Sequence, residues 1–333
     1  MNTTVQCPLV SVIIPNYNYA RYLRERIDSI LNQTFQDFEI IILDDVSTDE
    51  SLHIINEYST HHKVYRIEIN ETNSGTPFIQ WRKGIQMARG KYVWIAEADD
   101  VAEPKFLETT VQLMEKYTEA SVCHVGFQVI DSQSQPQEKD HNKWGAKREA
   151  KGHACFDGAK YVQQNLYWCN CIYNASGVLF NREKAVNASN SIFTTMRNCG
   201  DWLFWVDMAL SGKVIEVYEV LNKFRRHETS VTYSGNQHGR ARIIKEEIEI
   251  IKSIHKNSDG ISSYKKQIRG AGFYKKIKRS KFEPSLEKEL FHFLKEELGI
   301  TSRHYALERI NKYICFILPF LFLLMPNKNR DRL

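Results

Sequence analysis

The sequence predicts an α/β fold: a mostly parallel sheet flanked by helices, followed by a helical, basic C-terminal extension. Three observations carry this. Leu9 to Ile14, Ile40 to Leu43 and Tyr92 to Ala96 are apolar runs of strand length, broken only by Ser11 in the first. Each ends in polar or acidic residues: Pro15-Asn16-Tyr17-Asn18, Asp44-Asp45, and Glu97-Ala98-Asp99-Asp100. A helical pattern follows each tip, and continuous apolar strands alternating with helices signify parallel βαβ units buried on both faces. In such sheets ligands bind in the crevice beyond the carboxyl ends of the strands, so the three tips are expected to converge on one site.

Between the strands, Tyr19 to Gln33, Asp49 to Tyr58, Pro77 to Ala88 and Pro104 to Tyr117 show helical periodicity. Ser47 with Glu50 fits a capping box, and Pro104 fits a first helical turn. Residues 131–152 are polar and charged, which predicts a loop or lid. Beyond it the pattern gives a helix (Gly158 to Leu166), a strand (Ala175 to Asn181), a helix (Asp201 to Leu210) and two short strands (Val214 to Tyr218, Asn222 to Arg226). The expected division is a catalytic domain over 1–236, split into halves 8–131 and 132–236, and a helical extension over 237–333.

The 333 residues suffice for one large domain with an appendage, or for two domains. A composition of 42% hydrophobic and 26% charged residues is that of an ordinary globular protein. A net charge of +5 is mild for this size and gives no support to nucleic-acid binding. Seven cysteines without C-x-x-C spacing argue against a metal cluster or a disulfide framework and point to a reducing cytoplasm. The residues before Leu9 lack the basic and apolar regions of a signal peptide. No G-x-G-x-x-G follows the first strand, which disfavours an NAD site.

Tyr313 to Met325 is a charge-free run of thirteen residues, short of the roughly 20 needed to span a bilayer. Arg309 and Lys312 precede it, and Lys328, Arg330 and Arg332 follow. That arrangement predicts a peripheral contact with an anionic cytoplasmic leaflet; a core-docking helix broken at Pro319 or an oligomer contact are the alternatives.

The three strand tips, together with Asn73-Ser74-Gly75, Arg82-Lys83-Gly84-Ile85, Gly90-Lys91-Tyr92, Gly200-Asp201-Trp202 and Arg225-Arg226-His227, occur in the order and spacing of glycosyltransferase family 2. The chain resembles that family, whose members are GT-A fold nucleotide-sugar enzymes, over roughly residues 8 to 232. The resemblance implies an inverting transfer of one sugar from a nucleotide donor, expected to be UDP-linked, to a hydroxyl of a glycan or lipid-linked glycan acceptor. The implied setting is bacterial surface polysaccharide or lipopolysaccharide assembly.

The same resemblance assigns candidate roles. Glu97-Ala98-Asp99 stands at the family's D-x-D position, which makes Asp99 the ligand of a divalent cation, Mn²⁺ or Mg²⁺, and Glu97 a contact to ribose or metal-bound water. Hard cations of this kind take carboxylate and phosphate oxygens. The alternative is that these acids cap the helix after Pro104. One of Asp44 and Asp45 would accept a hydrogen bond from the base, with Pro15 and Tyr17 as the other wall and Asn18 and Asn73 beside the donor. Two acids building a turn is the other reading. Arg82 would reach the diphosphate as a bidentate donor, or else lie on a solvated helix face. Asp201 would be the general base, or a helix N-cap. His227 would contact the diphosphate or join the metal.

Two residues depart from the family pattern, Glu97 for a first Asp and Gly200 for an acid. They leave open a catalytically inactive nucleotide-sugar-binding subunit. A nucleotidyltransferase is a further alternative, although Pro15-Asn16-Tyr17-Asn18 stands where its Gly-rich loop would be.

Overall fold

The structure is a computed structural model that describes residues 7–138, 142, 152–188, 191–227 and 236–317, with the side chains of 311–317 not described. The chain divides into two compact units, Met1–Gly158 with Cys171–Ser230, and Ala159–Asn170 with Val231–Leu333. The segment Ala159–Asn170, expected within the catalytic domain, groups instead with the second unit.

In chain order the elements are β1 (Val10–Asn16), α1 (Ala20–Leu31), β2 (Phe38–Asp44), α2 (Ser51–Tyr58), β3 (Val64–Ile69), α3 (Pro77–Met87), β4 (Tyr92–Ile95), β5 (Val101–Ala102), α4 (Phe106–Lys116), β6 (Ala120–Ile130) and β7 (His153–Phe156). There follow α5 (Gly158–Tyr161), β8 (Val178–Asn181), α6 (Arg182–Ala188), α7 (Gly200–Leu210) and β9 (Lys213–Arg225). Helices α8 (Gln237–Asn257), α9 (Ser263–Arg279), α10 (Pro284–Leu298) and α11 (Ser302–Ile317) close the chain.

One sheet runs β3-β2-β1-β4-β8-β6-β9-β5, with β7 on β9. β3, β2, β1 and β4 are mutually parallel, as their unbroken apolar sequences require. β8 then enters antiparallel to both β4 and β6, so the second half of the sheet is mixed. Every residue of β1 and β2 is buried. Ser11, the one polar residue in the first apolar run, donates its hydroxyl to Glu39 Oε1 at 2.7 Å. The core packs beneath α1, whose buried residues Tyr22, Leu23, Arg26, Ile27 and Ile30 repeat at helical spacing. Arg26 occupies an apolar position in that stripe, 4.8 Å over the Trp94 ring.

Several expectations are corrected. The edge strand β3 was not foreseen, because its residues are half-exposed rather than a continuous apolar run. The two short strands after Val214 are one strand, β9; its pairing with β6 jumps from Val125↔Val217 to Gly126↔Val220, so a bulge replaces the expected break. No capping box forms, because α2 takes Glu50 as its N-cap without a side-chain bond while the Ser47 hydroxyl turns to Asp44 Oδ2 at 2.6 Å. Pro104 precedes α4 rather than lying in it, with its carbonyl accepting from Thr34 N at 2.8 Å. Of the loop 131–152, residues 131–138, 142 and 152 are described, and 131–135 form a tight turn in which Asp131 Oδ1 accepts from Gln133 N and Gln135 N at 2.8 and 2.9 Å. The rest of the expected lid lies outside the described residues.

The second unit is a helical assembly. Ile244, Ile248 and Ile251 on α8 are buried, as are Phe273 and Ile277 on α9 and Leu290 and Leu294 on α10. Tyr274 stacks on Phe291 and Tyr305. Four of its lysines are matched locally: Lys245 meets Glu289, Lys252 meets Glu297, Lys276 meets Glu247 and Lys278 meets Glu287.

Candidate functional site

The chain passes from β1 to β2 and β3 on one side and then crosses to β4 on the other, so the topological switch point lies between β1 and β4. The expected tips meet there. Asn16 ends β1, Asp44 ends β2, and Glu97 follows β4.

The β1 and β2 tips are stitched together. Asp44 is fully buried; it accepts from Asn16 Nδ2 at 2.8 Å, Ser47 N at 2.8 Å and Ser47 Oγ at 2.6 Å. Asn18 adds a cross-link, its backbone N–H donating to Ser47 Oγ and its Oδ1 accepting from Thr48 N. Asp45 gathers the next loop, accepting from Asn70 Nδ2, Ser74 N, Ser74 Oγ and Gln80 Nε2 at 2.6 to 3.0 Å. Asn73 donates to the Asp45 carbonyl at 2.9 Å and receives from Gly75 N. Both acids therefore build the turn. Asp45 is saturated by these bonds, whereas Asp44 Oδ1 keeps an acceptor position beyond Ser47 N. Pro15 is buried in β1, while Tyr17 is 47% exposed. Arg82, partly buried on α3, makes no hydrogen bond or ion pair with the described residues.

The β4 tip is a dense group of acids. Glu97 Oε1 accepts from Trp81 Nε1 at 2.8 Å, and Glu97 N donates to Ser176 Oγ at 3.0 Å. Asp100, buried, accepts from Arg225 N at 2.9 Å and Asn174 Nδ2 at 3.1 Å. Burial and the neighbouring acids push Glu97 up to about 8 and Asp100 up to about 7, with Arg26 opposing in both. These acids do not cap a helix, since α4 takes Lys105 as its N-cap. Asp99 Oδ2 lies 3.0 Å from His227 Nε2. The His227 ring is held edge-on by Tyr19 at 5.6 Å and tilted on Tyr22 at 5.3 Å.

This pair fits a divalent cation. Octahedral bonds of about 2.0–2.1 Å place neighbouring ligand atoms about 3 Å apart, and the Asp99–His227 separation is 3.0 Å. Carboxylate with imidazole is a donor set that Mn²⁺ accepts. No group of three or more His, Cys, Asp or Glu side chains suited to a metal occurs among the described residues. The remaining ligands would then come from substrate phosphate and water, as is usual for Mg²⁺-like ions.

Asp201 lies in the first turn of α7, whose N-cap is Cys199, so it is not the cap. A Cβ on Gly200 would come within 2.5 Å of both Phe193 O and the Phe78 ring. Glycine at 200 thus serves close packing of the helix start against α3, rather than approach of a sugar. Phe78 meets Trp81 at 5.3 Å and Trp81 holds Glu97, so packing contacts link the start of α7 to the β4 tip.

Sequence reasoning gave no supporting role to Asn16, Ser47, Ser74 and Arg225, although they stand in the motifs it quoted, and it did not single out Gln80, Trp81, Asn174 and Ser176. Trp81, next to Arg82, was the nearest to a local signal; Ser176 and Asn174 come from a distant segment with none. Trp168 is buried in the second unit with Lys265 5.6 Å from its ring. His124 lies buried 3.6 Å from Glu216 on the neighbouring strand.

An α/β sheet with polar and acidic tips flanking its switch point, and an antiparallel strand entering beyond it, is the GT-A architecture. Comparison with known proteins agrees. The family described as Glycosyl transferase family 2 matches residues 11–184. An uncharacterized glycosyltransferase of Haemophilus influenzae is 30% identical over 247 residues, 72% of this chain and 73% of that protein. Chondroitin synthase of Escherichia coli is 37% identical over 106 residues, 32% of this chain but 15% of the synthase. Among solved structures, S. aureus TarS 1–349 superposes with a TM-score of 0.65 at 17% identity, covering 90% of this chain and 82% of that one. The mannosyltransferase PcManGT of Pyrobaculum calidifontis, solved with GDP-Man and Mn²⁺, gives a TM-score of 0.53 at 15% identity, covering 96% and 84%. The chain belongs to glycosyltransferase family 2 and is a glycosyltransferase.

Proposed function

We propose that this glycosyltransferase moves a sugar, with inversion, from a UDP-linked donor to a hydroxyl of a glycan or lipid-linked glycan acceptor. The observation that carries the reading is the Asp99–His227 pair, 3.0 Å apart beside the switch point. TarS has been solved with UDP and with UDP-GlcNAc, which supports the choice of UDP as the probe nucleotide.

Tyr17 packs against the base, with Pro15 below it and Asn18 and Asn73 fixing the loops on either side. One of Asp44 and Asp45, the pair at the tip of β2, accepts a hydrogen bond from the base N–H. Arg82 donates to the diphosphate, and Glu97 faces the ribose or metal-bound water. Asp99 and His227 would hold a divalent cation, which would supply Lewis-acid stabilisation of the departing diphosphate. The acceptor oxygen attacks the anomeric carbon, the bond from that carbon to the diphosphate oxygen breaks with its electron pair, and Asp201 takes the hydroxyl proton.

The setting we propose is assembly of a bacterial surface polysaccharide on the cytoplasmic face of the membrane. No helix among the described residues is long and apolar enough to cross a membrane. Support for peripheral contact comes from Leu307 and Ile310 on α11, 47% and 54% exposed, which lead into the apolar run 313–325, most of it outside the described residues.

Calorimetric titration of UDP into the full chain, with and without Mn²⁺, tests the site. Mn²⁺ should tighten UDP binding in the parent and leave Asp99→Ala unaffected; tightening that survives in Asp99→Ala would overturn the ligand assignment.

A further inference from the structure

Arg225 is fully buried and joins three segments that are remote in sequence. Its Nε donates to the Asp99 carbonyl at 2.6 Å, and its backbone N–H donates to Asp100 Oδ1 at 2.9 Å. Nη1 donates to the Asp131 carbonyl at 3.0 Å and to Ser134 Oγ at 2.9 Å, while Nη2 donates to Glu25 Oε2 at 2.7 Å. Four of the five guanidinium N–H groups are thus engaged. The face of the group covers the Tyr22 ring at 4.5 Å, the ring that also packs on His227. Glu25 closes the node by accepting from Ser134 Oγ at 3.1 Å.

Two features separate this node from ordinary core packing. It grips the carbonyl of the residue whose side chain meets His227, and His227 itself lies two residues further along the same chain. It also holds the turn at Asp131, the first residue of the polar stretch 131–152 that leaves the sheet between the two halves of the catalytic domain. A lysine could not replace it, because a single ammonium lacks the planar fork that reaches these acceptors in different directions.

We propose that Arg225 is a positioning residue: it sets the spacing of the Asp99–His227 pair and couples that pair to the 131–134 turn, so that displacement of the turn alters cation binding on the donor side. This rests on the reading of Asp99 and His227 as the cation pair.

The test measures Mn²⁺ binding to the full chain at saturating UDP by electron paramagnetic resonance, alongside melting temperature, for the parent, Ser134→Ala, Glu25→Gln and Arg225→Lys. Ser134→Ala removes one arm of the node and Glu25→Gln removes the charge of another while keeping an acceptor oxygen; both side chains are partly exposed, and neither change touches Asp99 or His227. Each is expected to weaken Mn²⁺ binding about three- to tenfold, the scale of interaction energies within one hydrogen-bonded network. Arg225→Lys should weaken it further, while the melting temperature of Ser134→Ala stays at the parent value. Unchanged Mn²⁺ affinity in both Ser134→Ala and Glu25→Gln would overturn the positioning role while leaving the cation site standing. A parent that binds UDP but no Mn²⁺ would overturn the cation pair, and the coupling with it.

Discussion

Val46 sits between Asp45 and Ser47 with φ of +67°, a region that a β-branched residue seldom occupies. The turn demands it, because Asp45 must reach the loop at Ser74 while Ser47 folds back onto Asp44. Left-handed backbone costs an L-residue roughly 1–2 kcal/mol, and glycine gives back about 0.5–1 kcal/mol through chain entropy. Val46→Gly should therefore hold or raise the melting temperature; a clear fall would show that the Val46 side chain contributes more than the strain costs. Glu97 and Asp100 make a second prediction. Their carboxyls are raised to about 8 and about 7, so the folded chain binds protons that the unfolded chain has released above the ordinary carboxylate range. Their contribution to stability is complete below that range and is lost as pH rises toward 8. In metal-free buffer the melting temperature should fall between pH 6 and 8.5, and Mn²⁺ should restore more of it at pH 8.5 than at pH 6. A metal-free melting temperature that rises over this interval would contradict the burial of the two acids.

At the scale of elements, the sequence made the first half legible and the second half less so. β1, β2 and β4 were readable because parallel strands buried on both faces leave unbroken apolar runs, and their polar tips meet at the switch point as expected. β3 was missed because an edge strand shares its burial with solvent. β9 was split in two because a bulge and a chain break look alike in sequence. The Ser47 capping box failed for a different reason: a buried Asp44 three residues away competes for the same hydroxyl, and that partner is visible only in three dimensions. At the start of α7, Gly200 stood out in the sequence only as a departure from the family pattern; the structure shows that its missing side chain admits Phe193 O and Phe78. Gly200→Ala should destabilise the protein by about 1–3 kcal/mol, the usual cost of overpacking, as measured by denaturant unfolding. A variant as stable as the parent would show that α7 is free to shift.

For the whole molecule, the family match over residues 11–184 and the GT-A sheet establish the class of enzyme, while the particular donor and acceptor are written in loop shape. The residues that would contact the donor were named from the order of motifs, whereas those that hold them came from distant segments: Arg225 from the end of β9, Ser176 from the turn before β8, Tyr22 from α1. Ser176 leaves no periodic or spaced signal, and for Arg225 and Tyr22 the motif and the helical stripe that contain them do not tell which distant groups they hold. The second unit, Ala159–Asn170 with Val231–Leu333, gathers a segment from each side of the catalytic chain. Lys245, Lys252, Lys276 and Lys278 meet glutamates on neighbouring helices, so membrane attraction would rest on other charges, among them those flanking the apolar C-terminal run. Removing residues 313–333 should abolish sedimentation with anionic vesicles and leave UDP binding intact; undiminished vesicle binding by the truncated chain would contradict a lipid-facing role for this segment.

The central claim is that Asp99 and Asp201 divide the work of transfer, one through the cation and one through the acceptor proton. Release of UDP from a panel of UDP-sugars with Mn²⁺, in parent, Asp99→Ala and Asp201→Asn, tests it most directly. The account predicts Mn²⁺-dependent release by the parent, loss of release in both variants, and UDP binding retained by Asp201→Asn. Release undiminished in either variant would contradict it.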